Sequence, residues 1–184
     1  DYDGENKFLC TFAGVLEEPE NPFSTSLGMQ FSPQIREPWE IYINTNGKRF
    51  VREDHPSVHK REHALLKQEE QKMFIIFDER ILQNAPCINP LMEKTINEKY
   101  GNHPHYSKAQ TLQELAKIIN VPPENLIQTI NSYNKSTETD NDQDFGRVRM
   151  FGKIEKPPFY AIHAGGITVV SPAGLKTDES LNVL

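Results

Sequence analysis

The longest unbroken apolar run in this chain is Met73-Phe74-Ile75-Ile76-Phe77. It is far shorter than the ~20 apolar residues of a membrane span. A short apolar run between polar residues fits a strand covered on both faces. Lys72 to Asp78 is therefore the expected buried strand, and other elements must pack around it. At 184 residues the chain holds about one domain. Only 36% of it is hydrophobic and its mean hydropathy is −0.63. The remaining elements must then be amphipathic, with one apolar face each.

Their patterns follow. Lys7 to Glu17 reads as extended, and residues 18–38, rich in proline, as an irregular excursion. Trp39-Glu40-Ile41-Tyr42-Ile43-Asn44 alternates as a strand does. Thr45-Asn46-Gly47-Lys48 supplies a turn, and Arg49-Phe50-Val51 returns. Asn-Gly between two such runs is a strong hairpin signal. Pro56-Ser57 opens a helix running to about Glu70, with Ser57 as its cap. Asn89 to Tyr100 reads as a helix ended by Gly101. Thr111-Leu112-Gln113-Glu114 is a capping box, with Leu112, Leu115, Ile118 and Ile119 on the helix face that follows. Pro122-Pro123 breaks that helix and starts another to about Lys135, with Leu126, Ile127, Ile130 and Tyr133 on one face. Residues 136–146 read as a polar, acidic, mobile loop. Phe159 to Ile162 and Gly166 to Val170 read as two final strands. The expected fold is α+β, a small mixed sheet with a hairpin packed by several helices.

The net charge of −6 argues against a nucleic-acid partner, which requires a basic face. Cys10 and Cys87 stand too far apart for a metal knuckle or a disulfide framework, so a reducing, cytoplasmic setting is expected. The start, Asp1-Tyr2-Asp3-Gly4-Glu5-Asn6, has neither the basic nor the apolar region of a signal peptide. It also lacks Met, so a piece of something longer is expected.

Asp140, Asp142 and Asp144 alternate as in a calcium loop, but Phe145 and Phe151 occupy the positions that need Gly and Glu. His55, His59 and His63 fall four residues apart, yet Pro56 leaves His55 outside the helix and no acidic third ligand follows. His103-Pro104-His105 is a loop pair. No bound metal is expected. There is no Gly-x-Gly-x-x-Gly after a strand, and Gly165-Gly166 is too short to cradle a pyrophosphate. No nucleophile with its base stands out.

One segment resists so bland a reading. Residues 49–63 hold ten ionisable side chains in fifteen positions: Arg49, Arg52, Glu53, Asp54, His55, His59, Lys60, Arg61, Glu62 and His63. The plain alternative is a solvated helix start laced with ion pairs. The functional one is a rim where Arg and His meet an anionic ligand, helped by a helix N-terminus.

The same region carries a resemblance. Trp39 to Glu53 resembles the "I-x-V-N-x-x-G-x-R-F-x-x-E" signature of the fumarate reductase/succinate dehydrogenase-like FAD-dependent flavoproteins. Ala64 to Gln68 and Met73 to Asp78 look like the helix and "x-x-F-D" strand of that family. Leu126 to Asn134 with Asp144-Phe145-Gly146-Arg147 is similar to its "Y-N … D-x-x-F-G-R". Ile154 to Ala161 resembles "I-x-x-P-P-F-Y-A", and Ala173-Gly174-Leu175 through Val183-Leu184 its "G-G-L-x-x-(N/D)…V-L". Each motif is weak alone, and their order is the specific part.

The resemblance implies a capping domain at 35–170, inserted between halves of an FAD domain. Residues 1–34 would lead from that domain and 171–184 return to it, with Ala173 and Gly174 near the cofactor. The missing halves would be its partners, and the chain would bind no FAD and do no chemistry alone. Enzymes of this kind pass a hydride between flavin and a C=C/CH–CH bond of a small anionic or enone-type substrate. A cap Arg shortly after the signature serves as proton donor, which points to Arg61. Glu53 would relay or orient, and Arg52, His59 and His63 would bind substrate. Fumarate reductases also carry a His just before "G-G-L". Thr168 to Leu175 has none, so another enoate or unsaturated compound fits as well as fumarate. The alternative is a self-standing α+β module binding an anion or a metal.

Overall fold

The computed structural model describes the backbone of residues 9–16, 25–27, 37–86, 94, 97–170, 178–180 and 182. Six strands form one sheet: β1 (Leu9–Leu16), β2 (Thr25–Leu27), β3 (Ile41–Ile43), β4 (Lys72–Asp78), β5 (Tyr106–Ala109) and β6 (Phe159–Val170). The described helices are α1 (Val58–Leu66), α2 (Glu79–Asn84), α3 (Leu112–Ile118) and α4 (Pro123–Thr139). The fold is α+β, as expected, but every strand pair is antiparallel rather than mixed.

β6 is the axis of the sheet. Along one edge it pairs with the whole of β4, from Lys72↔Gly165 to Asp78↔Phe159. Its other edge is shared: β5 takes Phe159 to Ile162, and β1 takes Gly165 to Val170. β3 then adds to the far side of β4. β4 is thus flanked on both edges, and Met73 to Phe77 are all buried, as their unbroken apolar run requires.

Several local expectations hold. Ser57 accepts a hydrogen bond from the Lys60 amide and caps α1. Both halves of the Thr111–Glu114 capping box are formed. Leu126, Ile130 and Tyr133 face the core from α4.

Others need correction. The hairpin return is a single bridge, Ile43↔Arg49. The two strands expected at the end are one, because Gly165 continues β6 instead of breaking it. Gly165 packs so close to the Gln71 carbonyl that a Cβ there would lie 3.3 Å away. Ile118 is 57% exposed, whereas Ile119 turns inward. The excursion at 18–38 includes β2, and β5 and α2 had no counterpart in the sequence reading. The Asn89–Tyr100 helix lies largely outside the described residues, although Lys94 and 97–99 are helical.

The acidic loop is the largest departure. α4 continues through Thr139, and Asp142 is buried. The Asp142 carboxylate accepts from Arg49 Nη1 at 3.0 Å and Nη2 at 2.9 Å. Arg49 also donates through Nε and Nη2 to Glu53 at 2.8 and 2.6 Å. Arg147 completes the group. Its Nη1 lies 3.6 Å from Glu53 and donates to the Glu40 carbonyl at 2.8 Å, while its Nη2 reaches the Pro38 carbonyl. Two positive and two negative side chains thus meet out of water with their charges balanced.

The turn at 45–48 is docked beside this group. Asn125 donates to the Asn46 carbonyl at 2.9 Å and Thr129 to the Gly47 carbonyl at 2.8 Å. Gly47 has φ +71°, and a Cβ on it would sit 3.1 Å from the Leu126 amide. Gly47→Ala should therefore cost about 1–3 kcal/mol in chemical denaturation, and an unchanged midpoint would contradict the docking.

The buried charges give two further expectations. Arg49→Met strands Glu53 and Asp142 without a cation and should cost about 3–5 kcal/mol. For Asp142, burial alone would raise the carboxyl, but Arg49 and the Arg147 and Phe145 amides outweigh it and hold it below the usual range. A depressed carboxyl adds stability that is complete above its unfolded value near pH ~4 and is lost as pH falls through the folded value. Asp142→Asn should flatten that acid limb of stability against pH, and a melt series across pH 2–6, a range of about four units around that value, would show it.

Candidate functional site

The ionisable segment leaves the buried charges at Glu53 and enters α1. Arg52 donates from Nε to Asp54 at 2.7 Å. The other Asp54 oxygen accepts from the Val148 and Arg149 amides at 2.9 and 3.0 Å. Burial would raise the Asp54 carboxyl, but Arg52 and these two amides outweigh it and hold it low. His55 turns back on its own loop: its amide donates to the Arg52 carbonyl, and its Nδ1 accepts from the Ser57 amide at 2.9 Å. The segment is therefore braced rather than loose, and Asp54 ties it to the irregular stretch after α4.

Arg61 stands at the end of the first turn of α1 and is 3% exposed. Its Nη1 donates to the His55 carbonyl, its Nε has no hydrogen-bond partner, and among the described residues it has no ion pair. Burial lowers its pKa, partly offset by Tyr42, Glu62 and Asp54 nearby. Arg49 is equally buried, yet its two carboxylates outweigh burial and raise it. A buried guanidinium with spare donors and a weakened hold on its proton can bind an anion or give up that proton.

The other expected site residues separate. Glu53 is fully buried, and both its oxygens are taken by Arg49, with the Tyr42 amide and Arg147 alongside. No hydrogen bond joins it to Arg61. Arg52 is engaged with Asp54 on a partly exposed surface. His63 is exposed in the last turn of α1. The side chain of His59, and Ala173 and Gly174 altogether, lie outside the described residues. His163, in β6, instead meets His105, a partner 58 residues away in sequence. The strand register alone brings the two together, so no local motif could have signalled it.

Nothing among the described residues cradles a dinucleotide. Gly165-Gly166 lies inside β6, packed against backbone rather than opening at a helix N-terminus. The described residues do not fit the pyrophosphate of FAD. What they offer is a braced segment carrying the buried Arg61. Among them no helix is long and apolar enough to cross a membrane.

This chain resembles parts of larger known proteins. An NADH:acrylate oxidoreductase of Vibrio harveyi is 32% identical over 149 residues, 78% of this chain but 14% of that protein. The open conformation of a flavocytochrome c3 fumarate reductase has the same fold, with a TM-score of 0.71 at 24% identity over 96% of this chain and 28% of that one. A fumarate reductase flavoprotein subunit of Lactobacillus plantarum, solved in solution, superposes with a TM-score of 0.53 at 23% identity. That match covers 76% of this chain and 89% of that one. The chain thus spans a minor part, 14–38%, of the length of curated relatives. Residues 19–184 match the family model described as FAD binding domain. FAD is accordingly the cofactor of the full-length protein, and the chain belongs to this family of FAD-dependent flavoprotein oxidoreductases.

Proposed function

We propose that residues 35–170 are the capping domain of an enzyme that reduces or oxidises a C=C/CH–CH bond in a small anionic or enone-type substrate. Residues 1–34 and 171–184 lead to and from its FAD domain. The observation that carries this reading is Arg61, a buried cation with unspent donors and no carboxylate of its own.

FAD supplies the redox chemistry when bound. The cap covers the site, excludes water and presents Arg61. Its Nη2 and Nε are available for a substrate carboxylate or enone oxygen, where charge-assisted hydrogen bonds are strong. As a proton donor, Arg61 would give its proton to the carbon next to that group. Burial favours the step by weakening the hold of the guanidinium. A relay must then restore the proton. Glu62 and Tyr42 lie close enough to act on Arg61 electrostatically, whereas Glu53 is committed to Arg49. Glu53 supports the site by fixing the backbone that enters α1. The acrylate oxidoreductase and fumarate reductase among the relatives both act, by name, on unsaturated carboxylates or their products.

In the full-length flavoprotein, Arg61→Gln and Arg61→Lys should each slow turnover roughly 10²–10⁴-fold while the electron donor still reduces FAD. A loss under about threefold would return Arg61 to a structural role. Glu53→Gln should lower the melting temperature more than the rate. The 184-residue chain mixed with FAD should leave flavin fluorescence unquenched. Stoichiometric binding would overturn the view that the phosphate cradle lies elsewhere.

A further inference from the structure

We infer that His105 and His163 form a two-imidazole site for a divalent transition-metal ion. β5 pairs with β6 so that Tyr106 faces Ile162, which places His105 directly across from His163. The His163 amide donates to the His105 carbonyl at 2.8 Å. The two imidazoles therefore leave the sheet on the same face. Their Nδ1 atoms are 2.9 Å apart, and the ring centroids 4.8 Å.

Two ring nitrogens at that distance cannot both carry a proton. One lone pair points at the other nitrogen, and a single proton lies between them. A tetrahedral ion with metal–nitrogen bonds of ≈ 2.0–2.1 Å spans nitrogens about 3.3 Å apart. Exchanging the shared proton for an ion thus asks the pair to open by about 0.4 Å. As the ion takes its place, the shared proton moves to the other nitrogen of its ring, so both imidazoles bind through Nδ1 as neutral donors with no change in oxidation state.

The surroundings suit that exchange. His163 is stacked on Phe74, with centroids 5.1 Å apart, so its ring is held in place. The His105 amide donates to His103 Nδ1 at 3.1 Å, which fixes the loop. Lys72, the cation facing the pair, is itself matched by Glu70. His163 lines a cleft of about 480 Å³ that also includes Glu69, Glu70, Ser107 and Asn120. Among the described residues no third protein ligand completes a cluster, so water from this cleft fills the remaining positions. Imidazole donors select Zn²⁺, Ni²⁺ or Cu²⁺ over Mg²⁺ and Ca²⁺. The cleft shares no lining residue with the 49–63 segment, so the inference stands apart from the flavoprotein reading.

Calorimetric titration of the full-length protein with Zn²⁺ tests it, using buffers of different ionisation enthalpy. The expected result is about one ion per chain, with no net proton released by the two neutral imidazoles, so the heat is the same in each buffer. His105→Gln and His163→Gln should each weaken binding by more than about tenfold, since even outer partners of a metal ligand cost that much. The double variant His59→Gln/His63→Gln should bind as the parent does. Absence of binding by the parent, or binding undiminished in His105→Gln, would overturn the inference. Should His163→Gln fail to fold, His105→Gln decides alone, because residue 105 as a whole is only half-buried.

Discussion

The four buried charges of Arg49, Glu53, Asp142 and Arg147 hold the rest of the domain in place. They join parts of the chain that no sheet ladder connects: the end of the Asn-Gly turn, the approach to α1, the turn after α4, and the carbonyls of Pro38 and Glu40 just before β3. Taking four charges out of water is costly, and replacing such a group by apolar side chains is often neutral or stabilising. Its value here is positional. Each arginine reads more than one direction at once: Arg49 grips two carboxylates face-on, and Arg147 spans one carboxylate and three carbonyls. The ring of Tyr133 lies 5.6 Å from one guanidinium and 5.4 Å from the other, which binds α4 to both.

This arrangement also explains which parts of the fold were legible. The signals that worked are local: the apolar run of β4, the Ser57 cap, the Thr111–Glu114 box and the Asn-Gly turn each contain their own physics within a few residues. Asp142 does not. With Asp140 and Asp144 it reads as a repelling, solvated acid run, and its cation lies 93 residues away. The short hairpin return failed for the same reason. Arg49 would extend the ladder if its side chain had no other claim, but it turns inward to Glu53 after one bridge. β5 has only four residues and borrows its order from β6, so its own sequence hardly announces it. Asp78 ends β4 and caps α2 through the Ile81 amide, one residue serving two elements, and so no separate helix start appears.

The ionisable segment shows the same limit at the candidate site. As a string, its arginines are interchangeable. In the fold they occupy three different environments: Arg49 is buried and doubly paired, Arg52 lies half-exposed against Asp54, and Arg61 is buried with a single carbonyl acceptor. Spacing cannot distinguish these cases, because what separates them is where the nearby carboxylates are used.

That use accounts for Arg61. Glu53 and Asp54 precede it by eight and seven residues and could neutralise it. Glu53 is instead consumed by Arg49, and Asp54 by Arg52 together with the amides of Val148 and Arg149. Each diverted carboxylate also performs a bracing task, so neither is free to swing back without loosening the loop that positions α1. The same contacts that brace this loop therefore leave the buried Arg61 short of negative charge. α1 adds to this, since the positive end of its dipole lies within a turn of Arg61 and disfavours a cation there. Burial, the helix end and the diversion of both acids all act in one direction, toward a guanidinium with a weakened hold on its proton.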